Sequence, residues 1–249
     1  MMTNKLQKTI NFDEKFSSIE QFCDYLLTLQ DKYIFRGCFN EKYKLVPGTY
    51  RLINKNKNNY GYLDAEYQHE ALLSFLTHYV PEKRFEAYCN AQHYGMATKL
   101  LDFSKNPLIA LLFACEEWNE EREDTNGKLF IIDKNKYQQI IATDFEILEK
   151  LLFECDESTT GIEIMYDKQI SKVELNKITL IDPIFNTNLK RINRQEGCFL
   201  LFPKLCQFIY EIYEDDCSEI YIIPNEYKNK FINHIKENYD ITMDKLKEI

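Results

Sequence analysis

A helix with no polar face is the feature that most constrains this chain. From Pro107 the sequence reads Pro-Leu-Ile-Ala-Leu-Leu-Phe-Ala to Ala114, without one polar side chain. Such an element must be covered on all sides by the rest of the fold. Asn106 ahead of Pro107 predicts its N-cap and first helical residue: the asparagine carbonyl accepts from free N–H groups, and proline needs no donor there. Before the cap stand Gln92, His93, Gly95, Thr98, Lys99, Asp102 and Ser104. Polar groups at that end of a buried helix meet free backbone N–H groups and the positive end of its dipole, which favours an anion. The segment is read as one wall of a site held on a rigid element.

The 249 residues allow one large domain, or one domain with a small appendage, and a core that needs no staples. A net charge of −9 argues against broad capture of nucleic acid or an anionic membrane, while leaving room for a local basic pocket. The eight cysteines include no C-x-x-C pair, and the four histidines lie far from any zinc-like cysteine spacing. No metal is expected, and neither a leader nor a bilayer-spanning run is read. The expectation is a cytoplasmic protein with reduced, mostly buried thiols and no membrane partner.

Ser17-Ser18 followed by Glu20-Gln21 predicts a helix start, with Ile19, Phe22, Leu26 and Leu29 at helical spacing. A strand at Tyr33–Phe35 then ends in Arg36-Gly37. Asn54–Asn59 reads as a loop. Helices are expected from Asp64 to about Tyr79, with Leu72, Phe75, Leu76 and Tyr79 inward, and from about Glu82 to Gly95. Lys128–Ile132 reads as a strand and Thr143–Phe153 as a helix. Ile178–Ile181, Cys198–Phe202, Gln207–Tyr213 and Glu219–Ile223 read as strands, and an amphipathic helix follows Pro224-Asn225. Helices early and strands late predict a single compact α+β domain, with a mixed or largely antiparallel sheet flanked by helices. Strand alternation puts Gln195 and Gly197 on one face and Glu196 on the other.

Several blocks carry a family resemblance. Phe35-Arg36-Gly37 is followed by Pro47 and Arg51. Gln92, His93, Gly95, Thr98, Lys99, Leu100, Leu101 and Asp102 precede Pro107, Ala110, Leu111, Phe113 and Ala114. Arg191-Ile192, Gln195, Gly197 and Phe199 come later. In this order the blocks resemble the FRG domain over roughly residues 20 to 200, and Ile241–Leu246 resembles its tail. The chain is then one FRG-like domain over 1–249, with the strands and helix of 201–249 packed on it. It departs at Lys99, Phe103 and Ser104, where the family favours arginine, tryptophan and threonine; Lys99 gives up a bidentate fork.

The arrangement is more distantly similar to ADP-ribosyltransferase-like folds. That likeness implies a nucleotide- or NAD-using transferase with an unknown protein or nucleic-acid acceptor, in a bacterial defence (including phage defence) or toxin system. Arg36, Gly37, Arg51, Thr98, Lys99 and Ser104 would hold the cofactor. Gln195 or Glu196 would act at the reacting ribose, with His93 as a further catalytic candidate.

Plainer roles stand beside these. Arg36 and Asp102 fit an ion pair and a loop brace, and His93 fits a helix C-terminal cation. Two other classes remain open: a nucleotide-sensing module without chemistry, and a metal-independent phosphodiesterase or nuclease using His93. A single site requires Arg36, His93 and Gln195 to meet in one cleft.

Overall fold

The first long helix starts where its capping signal stands. In the computed structural model the Ser18 hydroxyl accepts from the Gln21 N–H at 3.1 Å, and the Gln21 amide oxygen accepts from the Ser17 N–H at 2.9 Å. The structure describes residues 9–55, 59–116, 124–141, 161–166, 169–174, 177–183, 190–202 and 212–247. Their helices are α1 Phe12–Lys15, α2 Ile19–Leu27, α3 Gly48–Lys55, α4 Asn59–Leu76, α5 Pro81–His93, α6 Pro107–Cys115, α7 Lys190–Arg194, α8 Asn225–Tyr239 and α9 Met243–Lys247. The strands are β1 Thr9–Asn11, β2 Tyr33–Cys38, β3 Leu100–Ser104, β4 Gly127–Asp133, β5 Gln138–Ile141, β6 Gly161–Tyr166, β7 Gln169–Glu174, β8 Thr179–Asp182, β9 Gly197–Leu201 and β10 Glu219–Ile223.

One mixed sheet runs β1-β10-β4-β2-β3-β9-β8-β5, and β6 and β7 pair separately as an antiparallel ladder. The outermost pairs, β1 with β10 and β5 with β8, are parallel, and the inner ones antiparallel. Helices on a mixed sheet make this the α+β domain that the early helices and late strands imply.

The helices on one face fall into two groups. Phe35 of β2 pairs with Ser104 and with Ile131, so these share a face with Asp102 and Leu100 by alternation. Over β2, β4 and β10, Phe35, Leu129, Ile131 and Tyr221 pack with α2, α6 and α8. Over β3, β9 and β8, Leu100, Phe199, Leu201 and Ile181 pack with α4 and α5. The opposite face carries Ile34, Phe130, Leu101 and Leu200, covered by Leu45, Val46 and Tyr50.

Helix α6 is buried along nearly its whole length, with only Phe113 partly open. Asn106 caps it, its side-chain oxygen accepting from Leu108 N at 3.0 Å and Ile109 N at 3.4 Å. Two glycines let it settle on the sheet. A Cβ at Gly37 would stand 1.8 Å from Ala110 O, and one at Gly127 would stand 2.1 Å from Ala114 O. Gly37 therefore serves helix packing. Gly95, after His93, has the positive φ expected of a helix stop, +89°.

Several expectations are corrected. Leu100–Ser104, read only as a polar approach to α6, is a central strand. Phe75 and Tyr79, expected inward, are 53% and 39% exposed and meet edge to face with ring centroids 5.6 Å apart, while Leu72 and Leu76 are buried. Arg51 lies on a helix, and helices occupy both flanks of the expected Asn54–Asn59 loop. Gln195 and Glu196 form a turn, with Glu196 at φ +44°, so strand alternation does not govern them. The expected Thr143–Phe153 helix and residues 207–211 lie outside the described residues; Ile212 bridges to Leu45.

Gly37→Ala is expected to destabilise the fold by at least the ~1–3 kcal/mol of an overpacked core, because backbone occupies the space the methyl needs. Chemical denaturation checks this. A variant as stable as the parent would refute the close approach of α6.

Candidate functional site

The site begins where two neighbouring strands part. β2 and β3 share a single register pair, Phe35 with Ser104, whereas β2 stays paired with β4 from Tyr33 to Cys38. Beyond Phe35 the two edges diverge and would leave backbone groups without a ladder. Arg36 bridges the gap: its Nη1 donates to the Asp102 carbonyl oxygen at 2.5 Å and stands 3.9 Å from the Asp102 carboxylate. The fork opens into a cleft of about 400 Å³.

Side chains from several elements meet in it. Arg36 comes from β2, Arg51 from α3, His93 from the end of α5, Asp102 and Ser104 from β3, and Arg191 from α7. Gln195 enters from the turn after α7, and Gly37, Phe113, Glu116 and Tyr43 complete the wall or mouth. Arg36, His93 and Gln195 thus share one cleft, although over a hundred residues separate the outer blocks. Ser104 lines the cleft while its hydroxyl donates to the Gln195 carbonyl at 2.7 Å and accepts from Asn106 N at 3.0 Å.

Three other candidates lie off this lining. Thr98 is buried, and its hydroxyl donates to the Gln92 side-chain oxygen. Lys99 is buried beside His69, and its N–H donates to the Tyr88 hydroxyl at 2.9 Å. Glu196 accepts from the Asn106 side chain at 2.8 Å and borders a separate depression with Lys105 and Asp182. Gln195 borders the cleft while its side-chain amide donates to the Leu246 carbonyl at 3.5 Å, and the left-handed turn sends Glu196 to Asn106 instead.

The lining holds three guanidinium groups against the carboxylates of Asp102 and Glu116. Partial burial, and then the neighbouring Arg36, lower the pKa of Arg51; burial also lowers that of Arg191. Both remain cations at neutral pH. Burial, reinforced by Arg191 and opposed by Asp102, moves His93 below its ordinary value. Burial and Arg191 both favour the neutral imidazole. Among the described residues, Nε of Arg36 and Nε2 of His93 are buried without a hydrogen-bond partner. Buried polar atoms are nearly always satisfied, so two orphans at one cleft mark where a ligand's acceptor or donor fits.

Residues 31–123 match the family model of the FRG domain. The chain carries an FRG domain. That match takes in Arg36, Arg51, His93 and Asp102, while Arg191 and Gln195 reach the FRG cleft from later in the chain. No curated protein and no solved structure matches the chain significantly.

Among the described residues no cluster of three or more His, Cys, Asp or Glu side chains stands ready for a metal ion, and no helix is long and apolar enough to cross a membrane. Asp102, expected as a loop brace, and Arg191, for which no site role is expected, both line the cleft. The one signal for Arg191 is its place four residues before Gln195, which a single helical turn brings to the same mouth.

In an NMR pH titration the His93 imidazole is expected to protonate below pH 6.5, its ordinary value. Arg191→Met should raise that midpoint part of the way back, since removing the cation leaves the burial. A wild-type midpoint at or above 6.5 would contradict the cleft's electrostatics.

Proposed function

We propose that this FRG domain binds a phosphate-bearing nucleotide in the β2–β3 cleft, NAD among the candidates. The observation that carries the reading is the convergence of Arg36, Arg51 and Arg191 on one cleft of a chain whose net charge is −9. Guanidinium forks match phosphate oxygens in geometry as well as charge. Desolvating them together is costly unless an anion repays it. A volume of about 400 Å³ suits a small organic ligand rather than a bare ion. Tyr43 and Phe113 offer rings at the same wall for a base or nicotinamide.

Transfer chemistry of the ADP-ribosyltransferase kind calls for a carboxylate near the reacting ribose. Glu196 is turned towards Asn106, and the Asp102 carboxylate accepts from the Gln92 amide. The geometry therefore supports binding ahead of transfer. In a defence or toxin system, occupancy of the cleft would then be the signal. A second reading rests on His93: a neutral imidazole with an unpartnered Nε2 beside three arginines suits proton transfer during phosphodiester cleavage.

Calorimetric titration with NAD, ADP and pyrophosphate tests the proposal. Wild type is expected to bind at least one of them, and Arg51→Ala and Arg191→Ala should each lose ~1.5–3 kcal/mol, the size of a hydrogen bond to a charged group. Glu196→Ala should bind as wild type does. Nicotinamide release from NAD would restore the transferase reading, and cleavage abolished by His93→Ala would favour the second. Failure to bind any of the three ligands would end the nucleotide proposal.

A further inference from the structure

Two side chains that do not line the cleft are tied to its central carboxylate. The Gln92 amide Nε2 donates to Asp102 Oδ1 at 2.6 Å, and the Gln92 amide oxygen accepts from the Thr98 hydroxyl. Thr98 Oγ1 in turn accepts from Leu100 N at 3.3 Å, which leaves its proton for Gln92. The Thr98 carbonyl accepts from both the N–H and the hydroxyl of Thr49, each at 3.1 Å, on the first turn of the helix that carries Arg51. The amide orientation is fixed by chemistry: turning it over would set its oxygen against a carboxylate, which only accepts.

The consequence falls on Arg36. A relaxed arginine–carboxylate pair closes to about 2.7–2.9 Å and is often bidentate. Here Arg36 Nη1 stays 3.9 Å from Asp102 Oδ2, while Oδ1 is held by Gln92. Asp102 also lies within electrostatic reach of Arg51, Arg191 and His93. Released, it would swing onto a guanidinium and fill the place of an incoming anion.

We infer that Gln92 and Thr98 are positioning residues: through Asp102 they keep Arg36 from closing into a tight internal ion pair and so hold it open for the ligand. The inference rests on the anion-binding reading of the cleft, and it assigns Thr98 a role other than cofactor contact.

The test pairs an affinity measurement with one that needs no ligand. Gln92→Leu, which removes a hydrogen bond to the Asp102 carboxylate, is expected to weaken pyrophosphate binding by about tenfold, and Thr98→Val, which frees the Gln92 amide, should weaken it in the same direction. Thr98→Ser keeps the hydroxyl and should restore wild-type affinity. In an Asp102→Asn background Gln92→Leu should cost little, because no carboxylate is left to restrain; a merely structural effect would add independently. NMR of the Arg36 guanidinium provides the second arm. Rotation about its Cζ–Nε bond should slow in Gln92→Leu and Thr98→Val, as a bidentate pair forms, and recover in Thr98→Ser. Unchanged rotation in both variants, or additive losses in the double variant, would overturn the inference. If wild type binds no pyrophosphate, the anion-binding reading fails on that arm, and the guanidinium measurement still decides whether Gln92 and Thr98 restrain Asp102.

Discussion

The structure turns on one guanidinium that replaces a stretch of β-ladder. β2 and β3 pair at Phe35–Ser104 and then separate, and Arg36 spans the opening to the Asp102 carbonyl. A sheet cannot part at its centre without something to satisfy the freed backbone groups. A long cationic side chain does this while leaving space beside itself, so the feature that holds the sheet together also creates the cleft. The two helical groups stand over the two halves of the sheet, and α6 and the end of α5 reach the fork from either side.

The cleft's charge balance follows from that geometry. Three arginines face Asp102 and Glu116, and the carboxylate nearest Arg36 is held at a distance. Burial and Arg191 both oppose protonation of His93. An anion entering the fork would relieve the repulsion among the guanidinium groups and give the orphaned Arg36 Nε an acceptor. The overall negative charge of the chain does not conflict with this, since a narrow cleft concentrates its own field.

The parts of the fold that were legible in the sequence depend on local rules. An all-apolar run after Asn106-Pro107 had to be a capped, buried helix, and Ser18 with Gln21 had to open one. The strand at Glu219–Ile223 is found at the bounds its alternation implies. What was hidden is set by distant contacts. That β2 and β3 meet at one residue pair is a matter of sheet register, which neither strand's sequence states alone. Gly37 stands among the residues expected to hold a cofactor, but the atom that excludes a side chain there is Ala110 O. Thr98 looks like any exposed hydroxyl in a polar segment until Gln92 is placed beside it. Gln195 and Glu196, expected on opposite faces of a strand, lie in a left-handed turn ahead of it, where the alternation argument does not apply.

The most direct test of the account is a crystal structure of the protein grown with NAD. The pyrophosphate is expected in the fork between β2 and β3, with its oxygens against Arg36, Arg51 and Arg191 and with Asp102 still held by Gln92. A nucleotide bound elsewhere, or a fork closed by a tight Arg36–Asp102 pair with the ligand shut out, would contradict it.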